Sequence, residues 1–201
     1  MIEPRLAEPG SAIHLQLSPA LAVDDASFAD LCRQNPDLRI ERTSEGAVII
    51  MAPAGGDAGR RNQAIGATLY MWARADGTGT SYDSSAGFTL PNGAIRSPDA
   101  AWVTNDRLAA LPPGATKGFT PLCPDFVIEL RSSSDRLAAV QAKMDEYIAN
   151  GARLGWLIDP IERTVHVYRP DREVELLIGV DRMAGDSELP GFVLPLDDVW
   201  R

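Results

Sequence analysis

The residues best placed to do chemistry in this chain are two acids and a lysine. Asp99 follows a proline in Ser97-Pro98-Asp99, and Glu129 closes the apolar run Phe126-Val127-Ile128. A glutamate at the end of such a run is costly to bury as a bare anion. It needs a cation, a hydrogen-bond network, or open water at a sheet edge. A divalent cation shared with a second carboxylate meets that need, and water-retaining sites built on one or two carboxylates suit magnesium. Such a cation would polarise a phosphate oxygen and acidify an attacking water, as hydrolysis of a phosphodiester requires. Lys143 falls on the helix after Glu129, at the edge of its apolar stripe, with Val140 and Tyr147 one turn to either side. Its stem can lie along those neighbours while the ammonium orients water or stabilises a pentacoordinate phosphate.

Each residue also has a structural reading. Asp99 can accept from backbone amides at a strand end, Glu129 can pair with Arg131 or Arg136, and Lys143 can sit solvated on its helix. Taken together, in this order and on these elements, the three favour the metal site.

The elements that must position them follow from periodicity and turn residues. Asp25 to Gln34 reads as a short helix capped by Asp24 or Asp25, and Leu38 to Ile40 and Ala47 to Met51 read as strands around Ser44-Glu45-Gly46. After a glycine-rich loop, Pro53 to Gly59, a helix is expected over about Arg60 to Arg74, with Ile65, Leu69 and Trp72 on one face. Thr80 to Leu90 reads as extended, Pro91-Asn92-Gly93 as a tight turn, Ser97 to Val103 as a strand, and Leu108 to Gly118 as a surface loop. Asp125 to Leu130 has the continuous apolar character of a strand covered on both faces. Ser132 to Asp135 then caps a helix over about Arg136 to Asn150, stopped by Gly151. Strands are expected over Leu154 to Asp159, Thr164 to Tyr168 and Val174 to Ile178. The strand-helix-strand unit across 125–159 with hairpins around it predicts an α/β domain over 25–201, a central mixed sheet flanked by helices. Residues 1–24 read as an N-terminal extension, loosely ordered.

Bulk properties narrow the function classes. The formal net charge of −9 argues against a protein that coats nucleic acid nonspecifically, because that affinity comes from phosphate neutralisation. His14 and His166 are too few and too far apart for a histidine-rich zinc site or a Ser-His-Asp hydrolase. Cys32 and Cys123 form no disulfide framework, no apolar run spans a bilayer, and the first residues carry no signal-peptide pattern, which together point to a cytoplasmic protein. The glycine-rich loop matches no phosphate-binding fingerprint and reads as a connector. Trp72, Trp102, Trp156 and Trp200 read as core. Arg60, Arg61, Arg96, Arg131, Arg136 and Lys143 gather around the candidate site, either as a local basic groove or as scattered surface charge.

At this point the residues carry a resemblance. Gly87-Phe88-Thr89-Leu90-Pro91-Asn92-Gly93, Ser97-Pro98-Asp99-Ala100-Ala101-Trp102-Val103, Pro124-Asp125-Phe126-Val127-Ile128-Glu129-Leu130-Arg131-Ser132, Lys143-Met144 with Tyr147, and Gly155-Trp156-Leu157-Ile158-Asp159-Pro160 together resemble the Uma-type restriction endonucleases of the PD-(D/E)XK nuclease superfamily. The resemblance spans roughly residues 25–195. It implies a restriction-endonuclease-like core, Mg2+ or Mn2+ bound by Asp99 and Glu129, and a nucleic-acid substrate, DNA above all. The superfamily's lysine usually stands two positions after the glutamate, where this chain has Arg131. The resemblance moves that role to Lys143 and leaves Arg131 as a bidentate phosphate clamp. Many relatives also carry a histidine or acid near the start of the first core helix, where this chain has Arg60, Arg61, Asn62 and Gln63. A metal-dependent endonuclease, paired as a homodimer to cut two strands, is the expectation; a catalytically inactive nuclease-fold module that binds nucleic acid or a protein is the alternative.

Overall fold

A computed structural model of the chain describes residues 12–15 and 23–201. A short strand, β1 (Ile13–Leu15), precedes α1 (Asp25–Gln34), whose Asp24 side chain accepts from Ser27 N–H as an N-cap. The hairpin β2 (Arg39–Arg42) and β3 (Val48–Met51) follows, then the long helix α2 (Gly56–Asp76). Next come β4 (Gly79–Asp83), β5 (Phe88–Thr89), β6 (Ile95–Arg96), β7 (Ala100–Thr104) and α3 (Asn105–Ala109). The chain then forms β8 (Phe126–Leu130), α4 (Leu137–Ala149), β9 (Leu154–Asp159), β10 (Thr164–Tyr168) and β11 (Glu175–Ile178). It ends with β12 (Arg182–Ala184), β13 (Val193–Pro195) and α5 (Asp197–Trp200).

The central sheet has the order β11-β10-β9-β8-β7-β4. Only β8 and β9 pair in parallel, joined by the crossover helix α4; the other neighbours are antiparallel, so the sheet is mixed. Alternation along the strands separates two apolar layers. Trp102, Phe126, Ile128 and Trp156 face α2 through Ile65, Leu69 and Ala73. Ala101, Val103, Val127 and Leu157 face α4 through Met144 and Tyr147. The result is the expected sheet flanked by helices. A second, antiparallel sheet, β1-β3-β2-β6-β5, lies beside it under Phe28 of α1. No helix among the described residues is long and apolar enough to cross a membrane.

Several boundaries differ from expectation. Helix α2 starts at Gly56, inside the segment expected to be loop, because two of its first residues are glycines that mask a helical signal. The expected extended run over Thr80 to Leu90 breaks after Asp83, whose carboxylate accepts from the N–H and hydroxyl of Ser85, an Asx turn. The expected strand from Ser97 starts only at Ala100, because Ser97-Pro98-Asp99 carries the chain from one sheet to the other. Ser132 bonds Asp135 rather than capping α4, which begins without a side-chain cap. The C-terminal hairpin β12–β13 and α5 had no sequence signal, yet they close the α2 face: Arg60 and Arg61 donate to the backbone carbonyls of Asp198, Val199 and Arg201. Of the expected loose extension, residues 1–11 and 16–22 lie outside the described residues; Ile13–Leu15 pairs with β3.

Candidate metal and acid site

The crossing from β6 to β7 sets Asp99. Position 99 lies just beyond the last ladder pair, Ala100 with Ile128, so the Asp99 carboxylate extends that ladder in place of a carbonyl. Its Oδ2 accepts from Leu130 N–H at 2.9 Å. The backbone-amide role foreseen for Asp99 is therefore real, and it is the device that brings Asp99 beside Glu129. Its Oδ1 faces Asn62 Nδ2 of α2 at 3.3 Å and Arg39 Nη1 of β2 at 3.6 Å.

Glu129 sits on the α4 face of β8. Its Oε1 is 2.8 Å from Lys143 Nζ and accepts from Tyr147 Oη at 3.0 Å. Burial pushes the Glu129 carboxyl up to about 7; the Lys143 charge pulls it down, and the Asp99 and Glu41 charges push it up again. Burial opposes the charge on Lys143, but Glu129 and Glu41 outweigh it, and the ammonium is held above its ordinary value. Burial and the Glu129 charge keep the Tyr147 phenol protonated, well above its usual range. Asp99, Glu129 and Lys143 thus meet in one cluster, with Glu129 paired to Lys143 rather than to Arg131 or Arg136.

Two members of the cluster were missed from sequence. Glu41, 2% exposed, accepts from Lys143 Nζ at 2.9 Å, Arg96 Nη1 at 3.2 Å and Ser97 N–H at 2.9 Å. Burial works against its charge, but Lys143 and Arg96 prevail and lower its pKa. Arg96 Nε also donates to Glu146 at 2.6 Å. The only available hint was a run of alternating charges, Arg39-Ile40-Glu41-Arg42, inside a strand. Tyr147 was read as apolar stripe, and its hydroxyl role was not seen.

Arg131 is paired inside the fold. Its Nη1 is 2.6 Å from Asp159, which is fully buried, and its Nε donates to the Asp135 carbonyl at 3.3 Å. An anion buried that deeply requires its partner, so the fork is engaged inside the fold and is not presented as a phosphate clamp. Of the six cations gathered around the site, Arg136 is exposed and the other five are engaged. Arg60 and Arg61 bond C-terminal carbonyls, and Arg96, Arg131 and Lys143 are paired with carboxylates.

The donor set fits a hard cation. No group of three or more His, Cys, Asp or Glu suited to a metal occurs among the described residues. Asp99 also has Asn62 at its side: Nδ2 lies 3.3 Å from Asp99 Oδ1, and the neutral Oδ1 is buried without a hydrogen-bond partner among the described residues. Oxygen-only donors completed by water suit magnesium or manganese and disfavour zinc.

The profile of the family described as "Putative restriction endonuclease", Uma2, matches residues 25–197. Among solved structures, a "putative nuclease belonging to DUF820" from Anabaena variabilis ATCC 29413 has a TM-score of 0.66 and 22% identity, covering 80% of this chain and 89% of that one. At that identity the likeness is one of fold. No curated protein matches the chain.

Proposed function

Since the chain belongs to the Uma2 family of restriction-endonuclease-like proteins, we propose that it hydrolyses phosphodiester bonds in nucleic acid, DNA in the first instance, with Mg2+ or Mn2+ at Asp99 and Glu129. The observation that carries this reading is the tether of Asp99 to Leu130 N–H, which sets a second carboxylate next to the buried Glu129. When bound, the cation supplies Lewis-acid polarisation and an acidified water. The chain's own residues do the rest. Asp99 and Glu129 hold the site, with Tyr147 donating to Glu129 to fix its rotamer. Lys143, kept protonated between two carboxylates, stands 2.8 Å from Glu129 and orients the attacking water or stabilises charge on the phosphate. Asn62 and Asp99 face each other across the mouth of the site.

The test is cleavage of plasmid and oligonucleotide substrates with and without Mn2+, using wild type, Glu129→Ala and Asp99→Ala. Metal-dependent cleavage lost in both variants is expected; cleavage that survives Glu129→Ala removes the assignment. The second reading, a nuclease-fold module that binds without cutting, is favoured by one feature: Arg131, at the position where the superfamily keeps its lysine, is committed to Asp159. Calorimetric metal binding without cleavage of any substrate would select that reading. A homodimer that cuts two strands belongs to the nuclease proposal, and a sedimentation mass of one chain would exclude it.

A further inference from the structure

Among the described residues, one cation of this cluster is not committed. Arg96 is buried between Glu41 and Glu146, and Lys143 between Glu41 and Glu129, all within hydrogen-bond distance. Arg131 is bound to Asp159 at 2.6 Å. Arg39 differs in three ways. Its side chain is 34% exposed, its carboxylate neighbour Asp99 is 3.6 Å away, beyond a good hydrogen bond, and its Nε is buried with no partner among the described residues. It is nonetheless held in place, because Nη2 donates to the Ser97 carbonyl at 2.8 Å, over the turn that carries Asp99.

We propose that Arg39 is the residue that takes the substrate phosphate, a phosphodiester of the nucleic-acid backbone, at the mouth of the Asp99–Glu129 site. The inference rests on the nuclease reading above and adds to it the group that binds the substrate anion. The electrostatic need is plain. Glu41, Asp99 and Glu129 gather three carboxylates on a chain of net charge −9, and an incoming phosphate meets repulsion unless a cation is turned toward it. Arg39 can supply that charge because of its weak tie to Asp99. Were Asp99 to hold a divalent ion, its charge would be less available to Arg39, whose guanidinium would stay fixed by Ser97 with Nη1 released for an anion. A planar guanidinium fork suits a charge-assisted contact with a phosphate. Arg39 therefore couples metal to substrate: each binds better when the other is present.

The test uses the full chain and a 20-base-pair DNA duplex, with binding followed by fluorescence anisotropy in Ca2+ over a series of salt concentrations. Arg39→Gln is expected to weaken binding about tenfold and to reduce the slope of log K against log salt by about 1, the signature of one lost phosphate contact. Arg39→Lys, which keeps the charge but loses the fork, should keep the slope. An unchanged slope in Arg39→Gln overturns the proposal, even if affinity falls, because misfolding or a purely structural role would lower affinity without removing a counterion-releasing contact. A wild-type protein that binds no duplex at any salt overturns the nuclease reading itself, and this proposal with it.

Discussion

At the residue scale, the site is a set of charges that tolerate burial only as a group. Lys143 answers both Glu41 and Glu129, so Lys143→Met leaves two buried carboxylates facing each other. A loss of roughly 3–5 kcal/mol is expected at pH 8, read from urea unfolding. Glu129 gives the pH dependence of the metal-free protein. Its folded value of about 7 lies above its ordinary 4.5, so between those values the folded chain binds more protons than the unfolded one. Stability should therefore fall as pH rises from about 4.5 to 7, by roughly 1–3 kcal/mol, and Glu129→Gln should flatten that slope in denaturation midpoints taken across the range. Asp99, Glu129 and Lys143 were legible because each is marked locally: a proline before one acid, an apolar run before the other, an apolar stripe beside the lysine. Glu41 was not, because its partners Arg96 and Lys143 lie 55 and 102 positions along the chain. The pairing of Arg131 is hidden for a related reason. Nothing near it in sequence tells that Asp159 is fully buried and requires a cation.

At the element scale, the strand-helix-strand unit from β8 to β9 could be read because its signals are strong: a continuous apolar run, a striped helix and an Asn-Gly stop. The C-terminal hairpin could not, since strands of three residues carry almost no period. What no sequence period conveys is how closely α4 lies on the sheet. A Cβ on Gly155 would stand 2.5 Å from Met144 Cε and 3.4 Å from Val127 Cγ2, so the helix sits where β9 has no side chain. In Gly155→Val the added side chain meets the flexible end of Met144, so Met144, next to Lys143 on α4, must move. A stability loss of about 1–3 kcal/mol is expected from overpacking. Manganese affinity, measured by calorimetry, should fall in the same variant, although position 155 touches no candidate ligand.

At the scale of the whole molecule, the two sheets meet at the site rather than beside it. β2 contributes Arg39 and Glu41, the β6–β7 link contributes Asp99, and β8 with α4 contributes Glu129 and Lys143. The second sheet thus supplies Arg39 and Glu41 to the candidate site. A divalent ion that binds only the assembled arrangement should stabilise the entire chain. Manganese at about a hundred times its dissociation constant is expected to add about 2.7 kcal/mol, seen as a melting temperature that climbs with concentration in wild type and stays level in Asp99→Asn.

The bond from Leu130 N–H to Asp99 has a consequence for how the protein resists drift. The donor belongs to the main chain, so no replacement of the Leu130 side chain short of proline removes it, and the spacing of the two acids is inherited from strand geometry. Deuterium exchange would expose this directly. The Leu130 amide, at the end of a strand where fraying is usual, should exchange as slowly as its interior neighbours, and should become fast when Asp99 is replaced by alanine.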